Sequence, residues 1–235
     1  MWSSEVTNMI ITGIWETLYM TLVSTLVGYV IGLPMGIILT VSDKDGIKPN
    51  AVLYKILDVI ANIVRSVPFI ILLVLLIPFT RLVVGKSYGS TATIVPLVIA
   101  AAPYIARMVE SSLKEVDAGV IEAARSMGAS NFTIITKVML VEARTSLLVG
   151  ATITLGTILG YSAMSGAVGG GGLGAIAIRY GYYRYQTDIM LVTIVILVVL
   201  VQIDIMIVTV ILLIILFQIF QTVGMKLADK FDHRK

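Results

Sequence analysis

Few side chains in this sequence could carry out chemistry on a substrate. The chain has no cysteine, and its single histidine, His233, lies in a charged tail. It contains neither an H-E-x-x-H metal motif nor a G-x-x-x-x-G-K-[ST] phosphate loop. Thiol chemistry, a histidine-based metal site and ATP hydrolysis are therefore not expected, and we predict that this chain is not itself an enzyme.

Two ionisable residues stand out because they lie inside a largely apolar region. Asp58 and Arg65 are seven residues apart, so in a helix they share one face and form a possible charged pair. Ionisable groups at membrane depth often mark transport pathways. This half of the region is amphipathic, however, and we favour a structural or interfacial role for the pair.

A run of glycines has the spacing of a nucleotide-binding loop. Gly169, Gly171 and Gly174 match G-x-G-x-x-G, but a dinucleotide site needs a preceding strand in a βαβ unit. An apolar segment of membrane length precedes the run instead, which argues against nucleotide binding. We predict that the irregular backbone lines the outer mouth of a path across the membrane, with a flexible loop as the alternative. The glycines concerned are Gly169, Gly170, Gly171 and Gly172.

The residues on either side of the glycine run are further candidates. Met164 has an unbranched, adaptable side chain, so it could plug a path, although a packing role is favoured. Arg179 and Arg184 alternate with tyrosines, a pattern typical of an aromatic belt at a membrane interface. The alternative is that they contact a docked protein.

The composition indicates where these residues lie. Of the 235 residues, 58% are hydrophobic and 13% are charged, and the mean hydropathy is +1.00. Soluble domains carry roughly 25% charged residues. The sequence therefore excludes a soluble globular enzyme, a disordered chain and a fibrous protein, and it predicts an all-α integral membrane protein.

Five regions are long and apolar enough to cross a bilayer, which takes about 20 residues. They are residues 18–41, 52–79, 91–109, 145–168 and 189–223. Pro68 is expected to bend the second of them. We predict about five transmembrane helices that form a single transmembrane domain over residues 1–235.

The positive charges predict the orientation of these spans. Twelve of the 17 Lys and Arg residues lie in or beside the first and third connections and in the tail, and four lie in the other two connections. Cytoplasmic connections carry an excess of Lys and Arg. The N-terminus is therefore expected outside and the C-terminus in the cytoplasm, together with residues 110–144.

The last apolar region contains a tandem duplication. Residues 204–219 repeat residues 188–203, with nine of sixteen positions identical. As one helix, residues 189–223 would be about 52 Å long, whereas a bilayer core is about 30 Å thick. We favour one unusually long last helix, because two spans broken near Asp204 would place the tail cations outside.

The cytoplasmic stretch 110–144 is predicted to hold two short helices. Asp117 can cap a helix over residues 118–127, Gly128 suits the left-handed residue that ends it, and Ser130 can cap a second helix that runs through Val141. On this pattern alone, a surface hairpin that links two spans would be sufficient.

The residues of this hairpin resemble the EAA loop of ABC-importer permeases. Glu122-Ala123-Ala124 is followed by three residues, Gly128, nine residues and then Val138-Met139-Leu140. The family pattern ends in Ile-x-Leu-Pro, so Val138 replaces Ile and Val141 replaces Pro. The resemblance implies a coupling helix, with coupling residues Glu122, Ala123, Ala124 and Gly128, that docks on a separate ATP-hydrolysing subunit.

Three further stretches resemble the methionine-importer permeases, namely residues 65–70, 166–174 and 179–185. Ala175 departs from that pattern, in which Asp is common. The resemblance implies a homodimer in the bacterial inner membrane, two ATPase subunits that bind ATP and Mg²⁺, and an external substrate-binding lipoprotein. It implies no cofactor, metal or nucleic acid bound to this chain.

The resemblance also implies a function, the ATP-driven import of methionine. The same architecture with another amino acid or small solute as substrate is the alternative. A secondary transporter or channel without an ATPase is a rival from another class, and it would transport without ATP and leave the pattern from Glu122 to Gly128 unexplained.

Overall fold

The computed structural model describes residues 4–203, and its regular elements in that range are all helical. The α-helices are α1 (Ser4–Ser42), α2 (Ala51–Ser66), α3 (Phe69–Leu75), α4 (Ile77–Val84), α5 (Ser90–Lys114), α6 (Ala118–Ser126), α7 (Asn131–Thr133), α8 (Leu140–Glu142), α9 (Arg144–Ser165), α10 (Gly172–Ile176) and α11 (Thr187–Ile203). Two π-helical segments, Ile134–Met139 and Ala177–Tyr182, and a 3₁₀ turn, Gly166–Val168, continue α7, α10 and α9 respectively. The predicted all-α membrane fold is confirmed.

Three stretches within residues 4–203 are long and apolar enough to cross a membrane: α1, α5 and the stretch that begins with α9. The bent pair of α2 and α3 would make a fourth. Helix α11 is apolar but has 17 described residues. The rest of the predicted fifth span, including Asp204 and the second copy of the duplication, lies outside the described residues, so the count of five stays a prediction.

The most extensive helix contact in the core is that of α1 with α5. Gly28, Gly32 and Gly36 recur every four residues on the face of α1 that contacts α5. A Cβ atom on Gly32 would lie 2.5 Å from the Ala102 carbonyl oxygen, and one on Gly36 would lie 2.5 Å from that of Ala106. Small residues at this spacing let two backbones approach closely in a membrane, where packing rather than the hydrophobic effect drives helix association.

Pro68 breaks the second predicted span as expected. Proline restricts the residue before it to extended backbone, and Val67 has φ −82° and ψ 124°. The axes of α2 and α3 consequently meet at 102°. Helix α2 therefore runs in a direction of its own and leaves most of its surface exposed, with Ala61 as its buried residue.

Helix α1 extends well beyond the predicted span of residues 18–41. It has 39 residues, or about 58 Å of helix, so it exceeds a bilayer core of about 30 Å. Polar residues such as Glu5, Asn8 and Glu16 end the apolar pattern without ending the helix, because α10 and α11 pack against this half of α1. Their contact forms a second apolar cluster around Ile10, Leu173, Ile176 and Ile189.

Candidate functional site

The hairpin between α5 and α9 has the predicted local structure. The Asp117 carboxylate accepts a hydrogen bond from the Gly119 N–H at 2.7 Å, and α6 starts at the next residue. Gly128 has φ +80°, the left-handed conformation that ends the helix. The Ser130 hydroxyl oxygen then accepts from the Thr133 N–H at 3.2 Å and caps α7.

The second helix of the hairpin is less regular than predicted. Its middle, Ile134–Met139, is π-helical, and the helix ends at Glu142. Ile134 and Met139, at the two ends of the π segment, are both buried in the main core. The wider π turn places both side chains on the core side, although an α-helical spacing of five residues would rotate them about 140° apart.

The two alanines of the EAA sequence face opposite ways. Ala124 is 5% exposed and packs into the core of this chain, whereas Ala123 is exposed. Val120 and Met127, three residues before and four residues after Ala123, are also exposed, Met127 to 82%. Residues at this spacing share one helix face. We call Val120, Ala123 and Met127 the apolar stripe of α6; Glu122 lies beside it and is exposed.

A hydrogen bond fastens α6 to the connection between α1 and α2. The Arg125 guanidinium donates to the Ile47 carbonyl oxygen at 3.0 Å. Between this connection and α6 lies an open cleft of about 580 Å³. Asp43, Lys44 and Asp45 line one side of the cleft and Glu122 lines the other. The sequence-predicted coupling residues thus lie together at one end of the helix bundle.

Immediately beside this hairpin, five charged residues form a chain of ion pairs, which we call the ion-pair chain. Its members in order are Asp43, Lys114, Glu110, Arg107 and Asp58. The Lys114 ammonium lies 2.6 Å from Asp43 and 2.8 Å from Glu110, and the Arg107 guanidinium lies 2.7 Å from Glu110 and also pairs with Asp58.

Asp58 thus has a different partner from the one predicted. It pairs with Arg107 of α5, whereas the Arg65 guanidinium carbon lies 6.0 Å from the centre of the Tyr104 ring. The expected charged pair of Asp58 and Arg65 is corrected accordingly. Seven residues along a helix separate two side chains by about 10 Å, which is too far for contact, while α5 passes directly beside α2.

The end of the ion-pair chain that lies outside the membrane-spanning helices is Asp43. The Lys114 ammonium donates a hydrogen bond to Asp43 and holds the pKa of that carboxyl below its usual range, against the opposing effect of burial. Asp43 therefore stays ionised at neutral pH.

The glycine run forms a closed, well-anchored loop. Gly169, Gly171 and Gly172 have φ values of +85°, +87° and +70°, which favour glycine. The two sides of the loop are in close contact. A Cβ atom added to Gly174 would clash with the Ala163 carbonyl, and one added to Gly166 would clash with the Ala175 backbone. Each of these residues therefore has a steric reason to be glycine.

Two neighbouring helices hold this loop in place. The Gly172 N–H donates to Glu16 of α1 at 2.7 Å, and the Leu173 N–H donates to the Thr17 hydroxyl at 2.9 Å. The Gly169 carbonyl accepts from the Gly89 N–H at 2.9 Å, and the Gly170 carbonyl accepts from the Thr93 hydroxyl at 3.3 Å. These bonds favour an ordered element over the flexible-loop alternative.

An open cavity of about 580 Å³ borders the loop, and Met164 is not among its lining residues. Gly169, Gly171 and Gly172 line it, together with Glu16 and Arg179. Met164 instead lies on the outer surface of α9 and is 51% exposed. The structure therefore brings the glycines together but leaves Met164 on a separate face.

Two features of the site were missed in the sequence. The first is the Gly28–Gly32–Gly36 repeat, whose small-residue spacing of four was a readable signal. The second is the ion-pair chain, because a carboxylate such as Glu110 at the end of an apolar region reads as a solvated boundary residue. Within residues 4–203, no group of three His, Cys, Asp or Glu residues is placed to hold a metal ion.

A bundle of apolar helices with a capped EAA hairpin at one end defines a class of protein, the transmembrane permease of an ABC importer. Comparison with known families agrees with this assignment. The family described as binding-protein-dependent transport system inner membrane component matches residues 28–224, and the chain belongs to this family.

Individual relatives are similar over most of their length. The chain is 46% identical over 233 residues, or 99% of this chain and 96% of the relative, to the probable D-methionine transport system permease protein MetI of Vibrio cholerae. It is 54% identical over 158 residues, or 67% of this chain and 73% of the relative, to the D-methionine transport system permease protein MetI of Escherichia coli.

Solved structures show the same fold. A chain from inward-facing conformations of the MetNI methionine ABC transporter superposes with a TM-score of 0.85 at 48% identity, over 93% of this chain and 99% of that chain. A chain from an amino acid ABC transporter crystallised with histidines superposes with a TM-score of 0.66 at 21% identity, over 93% of this chain and 95% of that chain, and supports the fold alone.

Proposed function

We propose that this chain is the permease subunit of an ATP-driven methionine importer in the bacterial inner membrane. The observation that carries the proposal is similarity over nearly the whole chain, at 46% identity, to a permease named for D-methionine transport. The match to the MetNI transporter chain, with a TM-score of 0.85, supports the same substrate class. The chain would form the translocation path and leave ATP hydrolysis to a separate subunit.

The apolar stripe of α6 is the surface that we assign to the ATPase. Val120, Ala123 and Met127 face away from the core, and the small Ala123 between two larger side chains lets α6 lie close to a partner. Glu122 offers a carboxylate to a basic residue or to backbone donors of that partner. Gly128 sets the direction in which the chain leaves the docked helix.

The exposed face of α9 is the surface that we assign to the central path and the second copy. Val149, Ile153 and Met164 are exposed along it, and the side of Gly160 is open. Successive residues of this set are four or seven positions apart, which corresponds to about one or two helical turns, so they lie on one face of α9. Met164 then lies at the level where the two copies of α9 would approach the outer mouth.

The outer surface is assigned to substrate delivery. The glycine loop and the cavity beside Glu16 and Arg179 lie at the opposite end of the bundle from α6. An external binding lipoprotein would release methionine at this end, with the N-terminus outside and the C-terminus in the cytoplasm. ATP-driven closure of the ATPase pair would move the two α6 helices and tilt the spans, which gives alternating access.

Reconstitution tests this function directly. The chain and its ATPase are placed in vesicles, the binding protein is added on the side opposite the ATPase, and uptake of radiolabelled methionine is measured. We expect uptake only with ATP on the ATPase side. Uptake of another amino acid in preference to methionine would support the alternative substrate, and uptake without ATP would support a secondary transporter.

A further inference from the structure

The ion-pair chain is centred on one buried carboxylate, that of Glu110. The side chain of Glu110 is 6% exposed and accepts hydrogen bonds from three donors. They are the Arg107 guanidinium at 2.7 Å, the Lys114 ammonium at 2.8 Å and the Tyr54 hydroxyl at 3.3 Å. A buried charge with this many charge-assisted partners fixes their relative positions closely.

The partners of Glu110 lie on α2 and α5, and through them the contacts reach a third element. Lys114 also pairs with Asp43, just after the end of α1, at 2.6 Å. Arg107 also pairs with Asp58 of α2 and donates to Asn62 of α2 at 3.0 Å. One carboxylate thus joins the neighbouring ends of α1, α2 and α5.

For α2, these polar contacts add to limited apolar packing, in which Val64 contacts the main core. Ala61 is its one buried residue within the described range, and its outward apolar side chains, such as Ile56 and Ile63, are exposed. The bonds made by Tyr54, Asp58 and Asn62 therefore contribute strongly to the contact of α2 with α5. Losing them would weaken the attachment of α2 to α5.

The ion-pair chain also lies directly where α6 is attached. Lys114 is the last residue of α5, and α6 begins at Ala118. Arg125 of α6 bonds to the Ile47 carbonyl at 3.0 Å, in the same short connection that holds Asp43. A displacement of α6 therefore acts on two adjacent members of the ion-pair chain at once, on Lys114 through the backbone and on Asp43 through Ile47.

We propose that Glu110 is the positioning residue that makes the cytoplasmic ends of α1, α2 and α5 move with α6 as one rigid body. This inference rests on the proposed function, in which α6 receives the movement of the ATPase. Without the Glu110 carboxylate, α6 still docks and ATP is still hydrolysed, but the movement is lost in slippage between the three helices.

The test is the number of methionine molecules transported per ATP hydrolysed, measured with the complete importer in vesicles. For Glu110→Gln, which keeps the size of the side chain and removes its charge, we expect a normal amount of bound ATPase and ATP hydrolysis within about twofold of the unmodified importer. We expect transport per ATP to fall by about tenfold, within the usual range for coupling between sites.

The matched control is Glu115→Gln. Glu115 lies five residues further on, is exposed and has no ion pair in the described part of the chain. Glu115→Gln removes the same negative charge as Glu110→Gln does, and we expect it to leave transport per ATP unchanged. A general effect of negative charge near α6 would lower both variants equally and would overturn the proposal.

A second variant decides the matter if Glu110→Gln does not accumulate. Lys114→Met breaks the link to Asp43 and leaves the pair of Glu110 and Arg107 intact, so we expect a smaller loss of transport per ATP, about threefold to fivefold. Unchanged transport per ATP in the variant that accumulates overturns the proposal. If the unmodified chain fails to bind the ATPase or to transport, the proposed function itself fails, which is a distinguishable result.

Discussion

At the scale of single residues, two neighbouring residues of the same type can have distinct roles. Ala123 and Ala124 are the same residue type in one motif, yet one is exposed and the other is buried against the core of the chain. Composition and spacing identified the motif. The direction of each side chain could not be predicted, because it depends on where the rest of the bundle contacts α6.

The two alanines therefore respond differently to enlargement. We expect Ala124→Leu to destabilise the chain by about 1–3 kcal/mol, because extra methylene groups strain a packed core. Ala123→Leu should leave the thermal unfolding midpoint unchanged and instead reduce the amount of ATPase that co-purifies, because a larger side chain holds α6 away from its partner. Equal shifts in the unfolding midpoint for the two variants would contradict this assignment.

Asp43 gives the chain a pH dependence of known sign. Its pKa is lower in the folded chain than in the unfolded one, so its contribution to stability is fully present above the unfolded value of about 3.9. The contribution is lost as the pH falls through the folded pKa. Both partners are partly exposed, so we expect it to be small, about 0.5–1 kcal/mol.

Asp43→Asn tests that contribution. We expect the variant to unfold at a lower temperature than the unmodified chain at pH 7, and the difference to shrink as the pH falls below about 4 towards the lower pKa of the carboxyl in the folded chain. Thermal unfolding in detergent, recorded from pH 3 to pH 8, measures it. A difference that persists undiminished at pH 3 would mean that the ion pair is not its cause.

At the scale of elements, the features that could be predicted from the sequence are those that local backbone chemistry controls. The caps at Asp117 and Ser130, the left-handed Gly128 and the bend at Pro68 follow from backbone preferences and are all confirmed. The full length of α1, the π segments and the partner of Asp58 depend on contacts between elements. A pattern along one chain segment carries no information about which other segment will lie beside it.

The α1–α5 contact is the element-scale feature most open to test. A methyl group at Gly32 would lie 2.5 Å from the Ala102 carbonyl oxygen, so we expect Gly32→Ala to destabilise the chain by about 1–3 kcal/mol. Gly160→Ala is the matched control, since no other atom of the same chain lies within 4 Å of the added methyl group, and the fold of the single chain should be unchanged or stabilised by up to about 1 kcal/mol. Thermal unfolding that ranks the two variants in the opposite order would contradict the packing.

At the scale of the whole molecule, function depends on linking two ends of a bundle. One end carries the apolar stripe of α6 and the ion-pair chain, and the other end carries the anchored glycine loop. The family and its membrane fold were readable in the sequence, since composition and the EAA spacing both report on them. The ion-pair chain was not, because its five members come from three separate stretches of the sequence.

The surface that we propose the ATPase covers is α6. The chain has no cysteine, so Met127→Cys introduces its only thiol, and Tyr88→Cys, at another exposed position on the connection between α4 and α5, is the control. We measure the rate at which a maleimide labels each variant in detergent, with and without the ATPase subunit.

We expect the ATPase to slow labelling of Met127→Cys by about tenfold or more, because the centre of an interface excludes solvent, and to leave labelling of Tyr88→Cys unchanged. If Met127→Cys is labelled at the same rate in a complex that demonstrably contains the ATPase, α6 does not form the interface with the ATPase.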